Sequence, residues 1–149
     1  MIKVRVTYSK LGRFVLMGHL DTMMHIDMAL RRTGLDFVTG QGYKRKIKFS
    51  SSPALSLGVE SLCEYIDVKI IDDYPGDIIF RRFADNFPPG LEIIKTEIIR
   101  GKALQPKAAV YEKKEKFLGL FSRIARKTIV FGSGEKISFP AVRVSFIFE

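Results

Sequence analysis

The chain has 149 residues, 46% of them hydrophobic and 28% charged, which is the length and composition of one globular domain and excludes a disordered segment. No stretch approaches the roughly 18–20 uninterrupted apolar residues that a membrane span needs, and the alternating first residues are unlike a signal peptide. Cys63 is the one cysteine, which excludes an internal disulfide and favours a reducing cytoplasm. One thiol also cannot hold an iron–sulfur cluster or a Cys-rich zinc site, so we expect no cofactor and no metal in this chain.

The net charge of +9 is unevenly distributed. Residues 1–50 hold ten basic and three acidic side chains, residues 51–99 hold four and nine, and residues 100–149 hold eleven and four. If the two basic ends meet in the fold, they form a positive surface, which attracts polyanions through counterion release. A basic protein without a nucleic-acid role has the same composition, and that alternative stays open.

The first part of the chain reads as strand, helix and strand. In chain order the patterns predict a half-buried strand over residues 2–8, a turn over 9–12, a short extended piece over 13–17, a helix over about 20–33, and a strand starting at 35. Asp21 is the expected N-cap, and Arg31 and Arg32 suit the negative end of the helix dipole. Gly34 is well placed to end the helix in a left-handed conformation.

A second unit of the same kind follows. The patterns predict a strand over residues 63–71, a helix opened by residues 72–75 and stopped by 88–90, and a strand starting at 91. Two such units predict a ferredoxin-like split βαβ core over residues 1–99, with an antiparallel sheet and the helices on one face.

Residues 100–149 are predicted to form a C-terminal β-α-β-hairpin extension that packs on this core. Its elements are a strand over residues 108–111, a helix over 113–126, a strand over 127–131, a hairpin turn over 132–134 and an alternating strand over 142–148. No Pro/Gly/Ser-rich linker separates two domains, so the sequence predicts one α+β domain over residues 1–149.

The two histidines flank an aspartate. His19 lies at the predicted start of the first helix, and His25 lies one turn from Asp21, at i,i+4. The three residues are candidates for an acid–base catalytic group or for part of a metal site. A helix-capping aspartate beside two ordinary histidines explains the same pattern. The sequence has no Walker loop, dinucleotide fingerprint or nucleophile elbow, so it assigns no reaction to this chain on its own.

The densest basic run, Lys44-Arg45-Lys46-Ile47-Lys48, lies between two aromatic residues, Tyr43 and Phe49. Single-stranded nucleic acid is bound by cationic side chains that contact its phosphates and by aromatic rings that stack on its bases. The candidate anion-binding residues are Gln41, Gly42, Tyr43, Lys44, Arg45, Lys46, Lys48 and Phe49, with Arg31 and Arg32 from the end of the helix. A solvated hairpin loop gives the same string of residues.

Several short motifs follow one another in residues 4–95. They are Tyr8-Ser9-Lys10-Leu11-Gly12-Arg13, Gly18-His19-Leu20-Asp21, residues 29–35, Gln41-Gly42-Tyr43, residues 57–60, residues 64–68 and Pro89-Gly90-Leu91. In this order they resemble the radical-SAM-linked family of uncharacterised bacterial proteins, whose members occur behind a radical SAM domain or as separate small proteins. The resemblance implies a radical SAM protein as a partner in trans. It also singles out Gly58, Glu60 and Glu64 as family-motif residues.

The chain departs from the family after Gln41-Gly42-Tyr43. Members usually carry an Asn-Pro-His-Pro-like segment at this point, whereas this chain has Lys44-Arg45-Lys46. The missing histidine weakens a catalytic role carried over from the family, and the added cations favour anion binding.

These observations leave three functions open. The first is an accessory domain that binds RNA, such as tRNA or rRNA, or presents substrate to a radical SAM enzyme. The second is a small nuclease or hydrolase that uses His19, Asp21 and His25. The third is a protein–protein adaptor that docks through its methionine-bearing first helix and has no nucleic-acid role.

Overall fold

The computed structural model describes residues 1–113, 126–130 and 136–148. In chain order its elements are β1 (Ile2–Lys10), a 3₁₀ turn (Gly12–Leu16), α1 (His19–Arg32), β2 (Phe49–Ser51), β3 (Glu60–Ile70), α2 (Gly76–Asn86), β4 (Ile93–Ile98), β5 (Ala108–Lys113), β6 (Arg126–Val130) and β7 (Lys136–Ile147). The fold is therefore mixed α+β, and neither described helix is long and apolar enough to cross a membrane.

Strand β3 organises the sheet. Residues 61–70 of β3 pair antiparallel with β1, which in turn pairs antiparallel with β4. Its other edge pairs parallel with β7 at Glu60 and Ser61, and antiparallel with β2 at residues 66–68. β7 pairs antiparallel with β5 and β6. The order along the sheet is β4-β1-β3-β7-β5, and the parallel β3–β7 pair makes the sheet mixed.

Both helices share one hydrophobic core with one face of the sheet. Alternate residues of β1 and β3 are buried together with one stripe of each helix. The largest of these buried side chains are Val4, Val6, Tyr8, Ile26, Leu30, Ile66, Val68, Ile70, Ile79 and Phe83. The spacing of two along the strands and of three to four along the helices is the pattern that the sequence showed.

The start of α1 differs from the prediction. The helix begins at His19, with Gly18 at the N-cap, because both the backbone N–H and the Oγ1 of Thr22 donate to the Gly18 carbonyl, at 3.0 and 2.9 Å. Asp21 therefore lies inside the first turn and does not cap the helix. Its negative charge still suits the helix N-terminus.

Two further predictions were wrong in detail. Residues 13–17 are not extended, because the 3₁₀ turn covers residues 12–16 and is closed by a bond from Met17 N–H to the Phe14 carbonyl. The strand predicted to start at Leu35 is reduced to one bridge, from Phe37 to Ile70. Within residues 1–99, for which an antiparallel sheet was predicted, the pairs β1–β3, β1–β4 and β2–β3 are all antiparallel, and the parallel pair is the one that β3 forms with β7.

The predicted helix over residues 113–126 and the hairpin turn over 132–134 lie outside the described residues. β5, β6 and β7 cover the three strands that were predicted in this part of the chain. The division into a core over 1–99 and an extension over 100–149 stays a prediction.

Candidate nucleic-acid interface

The basic run lies at the tip of a hairpin. Thr39 bridges Ile47, and two backbone bonds flank this pair, from Gly40 N–H to the Lys46 carbonyl and from Lys48 N–H to the Val38 carbonyl, both 2.9 Å. The Ile47 side chain is buried in the core and anchors one arm of the hairpin. Residues 40–46 are therefore presented at its end, and we call them the basic tip.

Arg31 fastens the basic tip to α1. Its Nη2 donates to the Arg45 carbonyl at 2.9 Å, while its Nε donates to Asp27 Oδ2 at 2.8 Å, one helical turn back. The hydrogen bond that Arg31 donates to Asp27 raises the pKa of the guanidinium. Asp27, Arg31, Lys44, Arg45 and Lys46 line an open concavity of about 360 Å³.

The side chains of the basic tip are available to a ligand. Lys44, Arg45 and Lys46 are exposed, as is Lys48 beyond them, and in the described part of the chain none of the four forms an ion pair with a carboxylate. Tyr43 beside them is fully exposed, so both faces of its ring are free to stack on a base.

Other candidate residues from the sequence have different positions. Phe49 packs against the hydrophobic core, which leaves the stacking role to Tyr43. Arg32 donates to the Asn86 carbonyl at 3.1 Å and so joins α1 to α2, away from the basic tip. Gln41 is exposed within the tip, and Gly42 has a φ of +135°, which a residue with a Cβ rarely adopts.

The structure does not bring the candidate catalytic residues together. His19 Nε2 lies 3.5 Å from Ser51 Oγ, whereas the His25 ring packs edge-on against Phe14 with its centroid 5.5 Å away. Asp21 is exposed, and across residues 1–113, 126–130 and 136–148 no hydrogen bond or ion pair links it to either histidine. The same ranges contain no group of three His, Cys, Asp or Glu residues able to hold a metal ion.

Glu64 is part of a buried ion pair that the sequence did not predict. Its side chain is 6% exposed and that of Arg143 is 4% exposed, with Arg143 Nη1 donating to Glu64 Oε1 at 3.0 Å. Ser61 and Ser52 donate to the two Glu64 oxygens, each at 2.6 Å. Every Glu64 oxygen therefore has a partner, and the residue joins β7 to β3 instead of facing a ligand.

Arg143 uses its remaining donors on the chain that precedes β3 and on Tyr111 of β5. Nη1 donates to the Pro53 carbonyl at 2.9 Å, Nη2 donates to the Ala54 carbonyl at 3.1 Å, and Nε donates to the Tyr111 hydroxyl at 3.1 Å. A planar fork of five N–H groups suits several acceptors at once, which explains an arginine at this position.

The other family-motif residues also lie in structural positions. Gly58 has a φ of +81°, and its N–H donates to the Val15 carbonyl at 2.7 Å, which ties the 3₁₀ turn to the start of β3. Glu60 is the first residue of β3 and pairs with Val142. Lys10 is buried, and its Nζ donates to the Met17 carbonyl at 2.8 Å; burial lowers the pKa of this amine, and the nearby Glu64 opposes that shift.

The chain is therefore a mixed α+β protein that presents a basic hairpin tip held against α1, and in its described part Asp21 forms no hydrogen bond or ion pair with His19 or His25. A family model matches residues 3–127, and the chain belongs to that family, described as "uncharacterized protein conserved in bacteria" (DUF2344). No curated protein and no solved structure matched the chain. The family description names no radical SAM protein, so that partner stays a proposal.

Proposed function

We propose that this chain is an accessory domain that binds RNA through the basic tip. The observation that carries the proposal is the set of exposed cations, Lys44, Arg45 and Lys46, which form no ion pair with a carboxylate of residues 1–113, 126–130 or 136–148 and lie beside the fully exposed ring of Tyr43. The lysines and the arginine contact phosphates, and the tyrosine stacks a base of a single-stranded or looped segment.

Arg31 acts as a positioning residue in this proposal. Its bond to the Arg45 carbonyl holds the tip against α1, so the concavity of about 360 Å³ exists before the ligand arrives. A preformed site loses less conformational entropy on binding than a mobile loop does.

The strand order supports the proposal by analogy. Residues 1–98 contain the element order β1-α1-β2-β3-α2-β4, with the antiparallel neighbours β4-β1-β3-β2. We infer from this order a ferredoxin-like split βαβ core, an arrangement that also serves as an RNA-binding platform in other proteins. A fold likeness alone does not assign a function, so the argument depends on the tip.

A charge-reversal variant of the basic tip tests the proposal. Three phosphate contacts on single-stranded RNA predict that affinity falls about 20-fold between about 50 and 200 mM salt. Changing Lys44, Arg45 and Lys46 to Glu should weaken binding at least ten-fold at low salt and make the log–log salt slope shallower by about two units. Fluorescence anisotropy with a labelled single-stranded RNA and with total tRNA measures both effects.

The matched control changes three exposed cations elsewhere, Arg13, Arg81 and Lys102, to Glu, which alters the net charge equally. This control should retain more affinity and a steeper salt slope than the tip variant. Equal losses in the two variants would show that net charge alone attracts RNA and would overturn the assignment to the tip. Tyr43→Ala distinguishes contacts to bases from contacts to phosphates. This variant should weaken RNA binding about ten-fold, because stacking contributes about 1–3 kcal/mol per base. Its binding to heparin, a polyanion without bases, should be unchanged.

A second candidate function, partner docking, is favoured by one face of α1. Leu20, Met24 and Met28 are spaced by four residues and are 83%, 56% and 40% exposed, so they form an apolar stripe on the helix surface. Exposed methionines adapt to partner surfaces. We propose that this stripe docks the radical SAM protein that the family resemblance implies, and that RNA binding and docking occur in one accessory domain.

Co-purification tests the docking proposal. The chain is co-expressed with a radical SAM protein encoded in the same genome, and the two are isolated at low salt. Leu20→Ser/Met24→Ser should abolish co-purification, because it removes the most exposed part of the stripe. Ile94→Ser/Ile98→Ser is the matched control, since these residues are 48% and 49% exposed on β4. Failure of the wild-type chain to retain the partner, or equal retention by both variants, would count against docking through α1.

A further inference from the structure

Strand β4 lies at one edge of the sheet, and in the described part of the chain its outer side is unpaired. It pairs with β1 alone and stands first in the order β4-β1-β3-β7-β5. Ile99 N–H, just beyond β4, donates to the Lys3 carbonyl at 2.8 Å, so alternate residues back along the strand also turn their backbone groups toward β1. The N–H and C=O groups of Thr96 and Ile98 therefore point away from β1, where a further strand can pair with them.

The sequence of this edge is complementary to itself in the antiparallel direction. Residues 93–99 read Ile-Ile-Lys-Thr-Glu-Ile-Ile, with opposite charges placed symmetrically about Thr96. When a second copy pairs with β4 on a two-fold axis at Thr96, Lys95 lies opposite the partner's Glu97, and isoleucines lie opposite isoleucines on either side. A two-fold interface requires such a pattern, because each of its contacts occurs twice.

The side chains of Lys95 and Glu97 are available for this pairing. They are 56% and 52% exposed, and Lys95 Nζ lies 2.9 Å from Glu97 Oε2 within the chain. Because the backbone groups of both residues point toward β1, their pair with a second copy is of the non-hydrogen-bonded type, in which opposite side chains approach most closely. Opposite charges at such positions stabilise strand pairing and like charges destabilise it. The charges therefore favour a second copy in this register over an arbitrary strand.

Helix α2 adds an apolar surface above the same edge. Ile79 and Phe83 are its buried residues, and Arg82 donates to the Gly34 carbonyl, just after α1, at 3.1 Å. Phe80 lies about 100° around the helix from Ile79, on the side away from Arg82 and hence away from α1. Since α2 packs on β4, this 37% exposed ring faces the outer edge of the sheet. Pairing along β4 then brings the two α2 helices side by side.

The free edge is short. Ile94 is an extra residue opposite Thr7 and Tyr8, a bulge that limits the regular part of the edge to residues 95–98. A ladder of this length buries less than the ~1,600 Å² of a standard stable interface, even with the surface of α2 added to it. We therefore expect an association that is reversed by dilution.

We propose that two copies of this chain form a two-fold dimer in which β4 pairs antiparallel with the partner's β4, centred on Thr96. Each Lys95 then pairs with the partner's Glu97, and the sheet continues from one copy into the other. This dimer goes beyond the proposed function and does not rest on it, because the hairpin that carries the basic tip joins the other edge of β3, at Ile70.

Sedimentation velocity over a series of protein concentrations tests the dimer. The wild type should change from monomer to dimer as the concentration rises. Lys95→Glu and Glu97→Lys each place like charges opposite one another twice in the dimer, so each should raise the dissociation constant about ten-fold or more. Lys44→Glu, on the basic tip, changes the net charge as Lys95→Glu does and should dimerise like the wild type.

An equimolar mixture of the Lys95→Glu and Glu97→Lys variants tests the register. In a mixed pair the acidic edge of one copy lies opposite the basic edge of the other, so the mixture should dimerise at concentrations at which each variant alone is monomeric. Thr96→Pro tests the backbone pairing. It removes an N–H that points away from β1, which an edge strand tolerates, and it deletes the two central hydrogen bonds of the dimer.

The outcomes that would overturn the proposal differ between these experiments. A wild type that stays monomeric at every concentration, or a Thr96→Pro variant that dimerises as the wild type does, would exclude a dimer through β4. A mixture that associates no better than its two components would exclude the pairing of Lys95 with the partner's Glu97. RNA binding by the basic tip is measured separately and is unaffected by either result.

Discussion

Replacing Arg143 with Met is expected to lower the free energy of unfolding by about 3–5 kcal/mol, the usual cost of removing one partner from a buried ion pair. Glu64 would lose its counter-ion in a site that is 6% exposed, and the Pro53 and Ala54 carbonyls would lose their donor. Since domains of this size are stable by only about 5–15 kcal/mol in total, the variant should unfold at a much lower urea concentration. Urea titration followed by far-UV circular dichroism measures the change.

Two further variants keep this prediction testable if Arg143→Met does not fold. Arg143→Lys retains the charge but loses the fork of donors, so its stability should be intermediate. Glu64→Gln added to Arg143→Met should recover part of the loss, because no buried charge is then left unpaired. Arg81→Met, at an exposed site, should change stability by less than about 0.5 kcal/mol. A loss below about 1 kcal/mol in Arg143→Met would contradict the importance of the pair.

Replacing Gly90 with Ala is expected to lower the free energy of unfolding by about 2–4 kcal/mol, from two added costs. Gly90 has a φ of +96°, which is strained for any residue with a Cβ, and the new methyl group would lie 2.9 Å from Phe14 Cδ2 and 3.0 Å from the Leu11 carbonyl oxygen. The neighbouring backbone cannot simply move away, since Leu11 N–H donates to the Gly90 carbonyl at 2.9 Å. Chemical unfolding of purified variants measures the effect.

Gly12→Ala separates backbone strain from the steric clash. Gly12 has a φ of +61°, but no heavy atom lies within 4 Å of the position of an added Cβ. Its replacement should therefore cost only the roughly 1–2 kcal/mol of the left-handed conformation. If Gly90→Ala is no more damaging than Gly12→Ala, the close approach of Phe14 and Leu11 is not what requires glycine at residue 90.

The sequence predicted the parts of the fold that bury one face over many residues. Apolar residues recur at a regular spacing along β1, α1, β3 and α2, and this spacing predicted each element. β2 has three residues, too few for an alternation to be visible, and it was missed. Only Val15 is buried among the five residues of the 3₁₀ turn. Their sequence therefore shows neither the apolar spacing of a strand nor that of a helix.

The candidate interface was predictable only where its residues are neighbours in the chain. The basic tip is a continuous run, whereas the bond from Arg31 to the Arg45 carbonyl joins residues 14 apart and leaves no local signal. The separation of His19 and His25 was predictable, because six residues of helix place two side chains about 120° apart. Arg143 occupies an ordinary position in an alternating strand, and nothing local indicates that it pairs with Glu64, 79 residues earlier.

The long separation of Glu64 and Arg143 has a consequence during protein synthesis. At about 5–20 residues per second, a ribosome needs about 4–16 s after adding Glu64 to reach Arg143. Over that interval β1, α1, β3 and α2 are already available to fold. The Glu64 carboxylate, however, still lacks its partner Arg143. The nascent chain must therefore keep this corner hydrated until Arg143 has been added, and the arginine then allows it to lose its water.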